Sequence, residues 1–441
     1  MSLNLIVICS DTFRADYLGC YGNEWIRTPH LDRMAAEGTL FTNCYGDGLP
    51  TIPARRVFFT GNSIIPSSVH GSWEPLHQGD VPLPVVLGEA GYTTGFVADT
   101  YHYFKPGQNF HQGFDSWRWI RGQEFDSWKS GPKDRFDPKD HMPDHLWNET
   151  YDEMMRRYMM NTQDWRREED CFCAQTFLEA GRWLERNRTE RPFMMWIDTF
   201  DPHEPWDAPE RFQQMYYDEY PCDRFLFGYG VRNEDIREDD IPALRALYAA
   251  EVTFVDMWIG RFLRQLEDLG LADETIIAFT SDHGTHIGEQ GYVQKTGAQL
   301  DSRVAQMPLI VRHPDPELAG TCHDGLVSAA DLMPGFLDML AVEGPEMDGE
   351  SFWKLATGEA GSLHARLYSE FAGYGAVRDE RWHYYQPITE EQAGGRAVLY
   401  DLHEDPDETT NVVADHPEVV KERQAHLAER FGTELPEVTM E

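Results

Sequence analysis

The chain has 441 residues, with 76 Asp plus Glu against 38 Lys plus Arg, for a net charge of −38. An acidic excess of that size excludes nucleic acid and an anionic membrane surface as partners, because both would be repelled. A small anion is not excluded, since screening over a Debye length of about 8 Å lets a few local cations build their own site. Hydrophobic residues make up 41% of the chain, enough for a large core. No apolar run approaches the roughly 20 residues of a membrane-spanning helix. Seven scattered cysteines (Cys9, Cys20, Cys44, Cys171, Cys173, Cys222 and Cys322) show no CxxC spacing and read as reduced thiols.

Leu5–Cys9 opens the chain as a strand-length apolar run. No basic region or cleavage site precedes it, so no signal peptide is expected and the cytoplasm is the expected location. Helical periodicity follows over 28–37, and a second helix start lies at Thr51-Ile-Pro53, with Pro inside the first turn. Further apolar runs at Thr94–Ala98, Phe193–Thr199, Thr275–Thr280 and Pro308–Arg312 read as buried parallel strands, separated by helices over 81–90, 173–187 and 241–269. Such alternation predicts an α/β fold, a large and mostly parallel central sheet with helices on both faces. Residues 111–170, rich in Trp, Asp and Arg, break the rhythm and read as an insertion. From about residue 343 short polar strands (367–371, 381–385, 397–402) and a helix over 417–431 predict a small α+β C-terminal subdomain. The expected domains are therefore 1–342 and 343–441.

Three of the strand-like runs end in metal-capable residues: Asp11, then Asp198 to His203, then Asp282-His283. Ligands in open α/β sheets bind outside the carboxyl ends of strands, so these residues can converge despite their separation in sequence. Two carboxylates and an imidazole suit a divalent ion. Thr51, at a helix start, suits a simple cap or a group beside an oxyanion, with Arg55 one turn on.

These residues carry a resemblance to the sulfatase family, within the alkaline phosphatase superfamily. Thr28-Pro-His-Leu-Asp-Arg-Met-Ala-Ala-Glu-Gly38 resembles the family's TPNLDRLAAEG segment, and Thr51-Ile-Pro-Ala-Arg55 its C/S-x-P-x-R signature. Asp11 matches the first metal aspartate, and Ser281-Asp282-His283-Gly284 the second metal motif. Asp201-Pro-His203-Glu-Pro205 matches the PHxP histidine, Lys295 the substrate lysine, and Leu399 to Glu408 with Asn411 the C-terminal hallmark. The resemblance covers nearly the whole chain and implies an alkaline-phosphatase-like fold, an ester hydrolase activity and a small sulfate, phosphate or phosphonate ester as substrate. The oligomeric state is left open, a homo-oligomer included.

The departures decide the expected chemistry. The family oxidises the signature Cys or Ser to formylglycine, whereas Thr51 carries a methyl on its β-carbon and cannot yield an aldehyde. No formylglycine is expected. Thr12 stands in place of the family's second metal aspartate, His283 in place of the usual Asn, and Thr100 in place of the lysine of the segment that His102 otherwise matches. The resemblance then implies one divalent ion on Asp11, Asp282, His283 and the Thr51 oxygen, with Mn²⁺ or Zn²⁺ favoured over Ca²⁺. Thr51 is the expected nucleophile. Arg55 is expected to hold the Thr51 side chain or substrate oxygens, and Lys295 to neutralise developing charge. His203 is expected to protonate the leaving group, with His102 assisting. The favoured substrate is a phosphate diester or phosphonate monoester. Sulfate ester hydrolysis without formylglycine, transfer to an alcohol, and an inactive binding protein are the alternatives. His141, His145 and His286 are weaker candidates for a second metal, and Trp117, Trp119 and Trp128 for a pocket wall.

Overall fold

A computed structural model describes residues 2–66, 73–222 and 224–440. The strands run β1 Asn4–Ser10, β2 Thr39–Tyr45, β3 Gly48–Leu49, β4 Thr93–Ala98, β5 Ser116–Trp119, β6 Phe193–Thr199 and β7 Thr275–Ser281. A short ribbon of β8 His286–Ile287 and β9 Val293–Gln294 follows, then β10 Gln306–Arg312, β11 Thr321–His323 and β12 Val327–Ser328. The C-terminal strands are β13 Leu367–Phe371, β14 Tyr374–Arg378, β15 Trp382–Pro387 and β16 Val398–Asp401.

The large sheet has the order β11-β2-β10-β7-β1-β6-β4-β5, with β12 also on β2. β1 pairs in parallel with β6 and β7, and β4 with β6 and β5. Alternation along the central strand explains the two-sided core. Leu5, Val7 and Cys9 pack with α2 Thr51–Thr60 and the helix Leu332–Met339, whereas Ile6 and Ile8 pack with α1 Pro29–Ala36 and the helices Phe172–Asn187 and Ile241–Asp268. Each fully buried Leu, Ile or Val contributes about 1.5–3 kcal/mol, which is why these runs read as apolar on both faces.

One expected parallel strand runs the other way. β10 is antiparallel to both β7 and β2. Its apolar run reports burial on both faces and is silent about direction. β2 was not anticipated, and β5, inside the presumed insertion, forms the sheet edge beyond β4.

The five-stranded C-terminal sheet has the order β16-β15-β14-β13-β3, and the helix Pro417–Phe431 packs on it. β14 was not anticipated. The fifth strand, β3, comes from far up the chain and leads directly into α2, with Glu370 and Phe371 opposite Gly48 and Leu49. The C-terminal sheet therefore sets the approach of the segment that carries Thr51. Gly61 ends α2 in the left-handed region (φ 66°), its N–H closing on the Val57 carbonyl at 2.8 Å.

Candidate active site

The carboxyl ends of β1, β4, β6 and β7 and the start of α2 meet at one edge of the large sheet. Asp11 follows β1 directly, Asp282 and His283 follow β7, and all three are fully buried. One ligand atom from each lies within 4.8 Å of the others. His283 Nδ1 donates to the Gly284 carbonyl at 2.8 Å, which turns the Nε2 lone pair toward the carboxylates; Asp282 Oδ2 is 3.3 Å away. Asp11 Oδ2 and His283 Nε2 have no hydrogen-bond partner although both are buried. Burial pushes the His283 imidazole down to about 4, so at neutral pH its nitrogen is free to ligate. Burial and the neighbouring Asp282 push Asp11 up. Burial would raise Asp282 as well, but Arg55 and His283 outweigh it and hold that carboxyl below its usual range. Two buried carboxylates and an unpartnered neutral imidazole fit a divalent cation.

Thr12, at the position of the family's further aspartate, has a φ of 61°, a conformation a β-branched residue adopts only under constraint. Its Oγ1 donates to Asp11 Oδ1 at 2.7 Å and its N–H to Asp282 Oδ1 at 2.9 Å. It orients both carboxylates without adding a charge.

Thr51 begins α2 and is only 2% exposed. Arg55, one turn later, is fully buried. Its Nε and Nη2 fork onto Asp198 at 3.1 and 2.9 Å, Nη2 is 3.1 Å from Asp11 Oδ2, and Nη1 donates to Asp282 and to the Thr51 carbonyl at 3.3 Å. Arg55 thus reaches the Thr51 backbone oxygen. Asp198, the acid of β6 that the sequence marked as a metal-capable strand end, is taken up by Arg55. It also accepts from Thr100 Oγ1 and from the Tyr103 hydroxyl, each at 2.6 Å. Thr100 is therefore committed to Asp198, at the position where the family's lysine would meet an anion.

His203 stacks on Phe200 with ring centroids 4.1 Å apart. Its Nδ1 donates to the Glu204 carbonyl at 2.7 Å and its Nε2 lies 2.8 Å from Lys295 Nζ. His102 packs edge-on against Trp73. Burial lowers both imidazoles, with Lys295 adding to the shift at His203 and Lys105 to that at His102. Every residue expected at the site, Asp11, Thr51, Arg55, His102, His203, Asp282, His283 and Lys295, lies along this edge or in the loops above it.

The weaker candidates do not join it. His286 bonds Asp301 at 3.0 Å, His145 bonds Asp240 at 2.9 Å and His141 bonds the Arg224 carbonyl at 3.1 Å, each separately. Among the described residues, Asp11, Asp282 and His283 form the one cluster with metal-ligand spacing. Trp117 and Trp119 stack on Phe104, and Trp119 and Trp128 lie under Arg121 and Lys129.

The sulfatase family model matches residues 3–342, and the model for the C-terminal part of N-sulphoglucosamine sulphohydrolase matches residues 288–434. The chain belongs to the sulfatase family. This sulfatase-family protein is 26% identical to an N-acetylglucosamine-6-O-sulfatase of Bacteroides thetaiotaomicron, over 93% of its own length and 82% of that protein. It is 25% identical to an arylsulfatase of Clostridium perfringens, over 99% and 95% of the two chains. Its fold matches the crystal structure of a phosphonate monoester hydrolase of Agrobacterium radiobacter with a TM-score of 0.76, at 23% identity, covering 98% and 95% of the two chains. The sulfatase-family chain is thus an ester-hydrolysing enzyme with an alkaline-phosphatase-like fold.

Proposed function

We propose that this enzyme cleaves a phosphate diester or a phosphonate monoester, with Thr51 as its nucleophile. The observation that carries the reading is the reach of Arg55 Nη1, which joins the Thr51 carbonyl to Asp282 and so ties the start of α2 to the carboxylate cluster. A divalent ion held by Asp11, Asp282, His283 and the Thr51 oxygen, Mn²⁺ or Zn²⁺ in preference to Ca²⁺, would supply Lewis-acid charge at the phosphorus centre.

The chain's own groups account for the rest. Thr51 Oγ1, at the positive end of the α2 dipole, loses its hydroxyl proton to solvent and bonds to phosphorus as the bond from phosphorus to the ester oxygen breaks. The leaving alkoxide takes a proton from the Lys295–His203 pair, which regains it from solvent. Water then cleaves the Thr51 ester at phosphorus and restores the hydroxyl. The threonine methyl favours phosphorus over sulfur in this scheme, since a threonine sulfate has no aldehyde route by which to expel sulfate. The likeness in fold to a phosphonate monoester hydrolase agrees with it. Relatives named as sulfatases favour sulfate ester hydrolysis as the second reading.

The test is a rate panel on the purified protein and Thr51→Ala. It compares 4-nitrophenyl sulfate, 4-nitrophenyl phosphate, 4-nitrophenyl phenylphosphonate and a bis-nitrophenyl phosphodiester, with Mn²⁺, Zn²⁺ or Ca²⁺. Phosphonate or diester turnover that disappears in Thr51→Ala is expected. Turnover surviving in the variant overturns the Thr51 mechanism, and turnover passed to an added alcohol marks a transferase. Neither turnover nor metal binding would mark a binding protein.

A further inference from the structure

The turn after β5 carries Glu124 to the histidine side of the active site, and it is fixed from several directions. Arg121 forks onto Asp126 at 2.7 and 2.6 Å, and the Gly122 N–H reaches Asp126 at 2.8 Å. Asn161 donates to the carbonyls of Gly122 and Asp126 at 2.8 and 2.9 Å, and Gln123 donates to Asp201 at 3.0 Å. Within this frame Glu124 takes a φ of 40°, a left-handed backbone that non-glycine residues adopt only when their surroundings enforce it.

The result is a buried carboxyl, 5% exposed, between two active-site imidazoles. Glu124 Oε2 is 3.8 Å from His102 Nε2, and Oε1 is 3.7 Å from His203 Nδ1. The Tyr101 hydroxyl donates to Oε2 at 3.2 Å. The titratable groups facing Glu124 are Glu204, Lys295, Tyr101, Lys105, His102 and His203. Burial and the Glu204 charge push its carboxyl up to about 8, against the pull of Lys295, Tyr101 and Lys105. At neutral pH it is an uncharged acid with one O–H to donate. Distances near 3.8 Å are long for a hydrogen bond, and catalytic contacts of this kind tighten when substrate is bound.

We propose that Glu124 is a positioning residue for proton transfer: placed between His102 and His203, it braces both rings so that His203 Nε2 stays turned to Lys295. The inference rests on the hydrolase reading above, in which the Lys295–His203 pair protonates the leaving group.

The experiment compares wild type, Glu124→Gln and Glu124→Ala with an alkyl phenylphosphonate, whose alkoxide leaving group needs a proton, and Mn²⁺ from about pH 6 to 10. Imidazole ¹⁵N spectra are recorded in parallel on the same proteins. Wild-type kcat is expected to fall with a midpoint near pH 8. Glutamine, permanently neutral and still a donor, should keep measurable turnover and move that limb up by about one unit or more. Alanine should lose about tenfold or more in kcat with KM within about twofold. A glutamine variant with the wild-type alkaline limb, or an alanine variant with wild-type kcat, overturns the proposal. The spectra decide independently of activity. A step near pH 8 in the His102 and His203 resonances that vanishes in Glu124→Gln supports the bridge, and its absence in wild type or persistence in the variant overturns it. If wild type turns over no ester, the hydrolase reading falls and the spectra alone judge Glu124.

Discussion

Lys295 Nζ stands 2.8 Å from His203 Nε2, and the hydrogen bond between them has only one direction. An ammonium has no lone pair, so lysine donates and the imidazole accepts. His203 Nδ1 already donates to the Glu204 carbonyl, and burial with Lys295 lowers its pKa, so the ring is neutral. The transferable proton of the pair therefore rests on Lys295, and His203 holds the ammonium in place.

Replacing Lys295 with Met should slow esters of poor leaving groups by about 10²–10⁴-fold, the range of general acid catalysis. A 4-nitrophenyl ester, whose leaving group needs no proton, should slow by about tenfold or less. The check is the dependence of kcat on leaving-group pKa. Equal slopes for wild type and Lys295→Met would remove Lys295 from that role.

The buried carboxylates at Asp11 and Asp282 predict a metal-dependent melting temperature. A ligand that binds only the folded state at 100 times its Kd stabilises by about 2.7 kcal/mol. Calorimetry with Mn²⁺ or Zn²⁺ should show a raised Tm that a chelator reverses. His283→Ala, which removes the unpartnered Nε2, should abolish the shift. A shift that survives in His283→Ala would place the ion elsewhere.

Arg55 predicts a large and specific loss of stability. Asp198 accepts from Arg55 Nε and Nη2, Thr100, Tyr103 and Trp196 Nε1, all buried. Asp198→Asn removes one of three carboxylates around the buried guanidinium, leaving Asp11 and Asp282 on it. It also sets an NH₂ against two hydrogen bonds to a charged group, worth about 1.5–3 kcal/mol each. Thr100→Val removes one neutral donor and should cost about 0.5–3 kcal/mol. Urea denaturation of both variants orders them. Equal losses would mean that the ion pair adds nothing beyond its hydrogen bonds.

The cluster of Asp11, Asp282 and His283 was legible because Asp11 and Asp282 directly follow apolar strands and His283 comes next, where the apolar run stops at a charged residue. Thr51 and Arg55 were legible from a helix start with fixed spacing. Asp198 carried a weaker signal: it ends the β6 run, but it acts inward on Arg55, and sequence does not say which way a strand-end acid turns. Glu124 carried none, since its place depends on the turn geometry of a loop with no periodicity. The direction of β10 was equally hidden, because burial on both faces gives the same apolar run in either orientation. The participation of Gly48 and Leu49 in the C-terminal sheet depends on two residues pairing across more than 300 positions, which no local pattern records.

Asp256, on the long helix Ile241–Asp268, makes the last prediction. Its carboxylate accepts the N–H of Leu31 at 2.8 Å and that of His30 at 3.1 Å, at the first turn of α1. Burial nonetheless pushes its pKa up to about 7. The folded state then binds a proton more tightly than the unfolded chain, whose carboxyl titrates near 3.8. Stability from this group is complete below about pH 4 and is lost as pH rises toward 7, at about 1.4 kcal/mol per pH unit between the two values. Asp256→Asn keeps an acceptor for the α1 amides and removes the charge. It should therefore melt higher than wild type at pH 8, with the difference shrinking or reversing near pH 5. Melting curves at the two pH values decide it: a variant less stable than wild type at pH 8 would mean that the charge on Asp256 is wanted, as the partner of the α1 dipole.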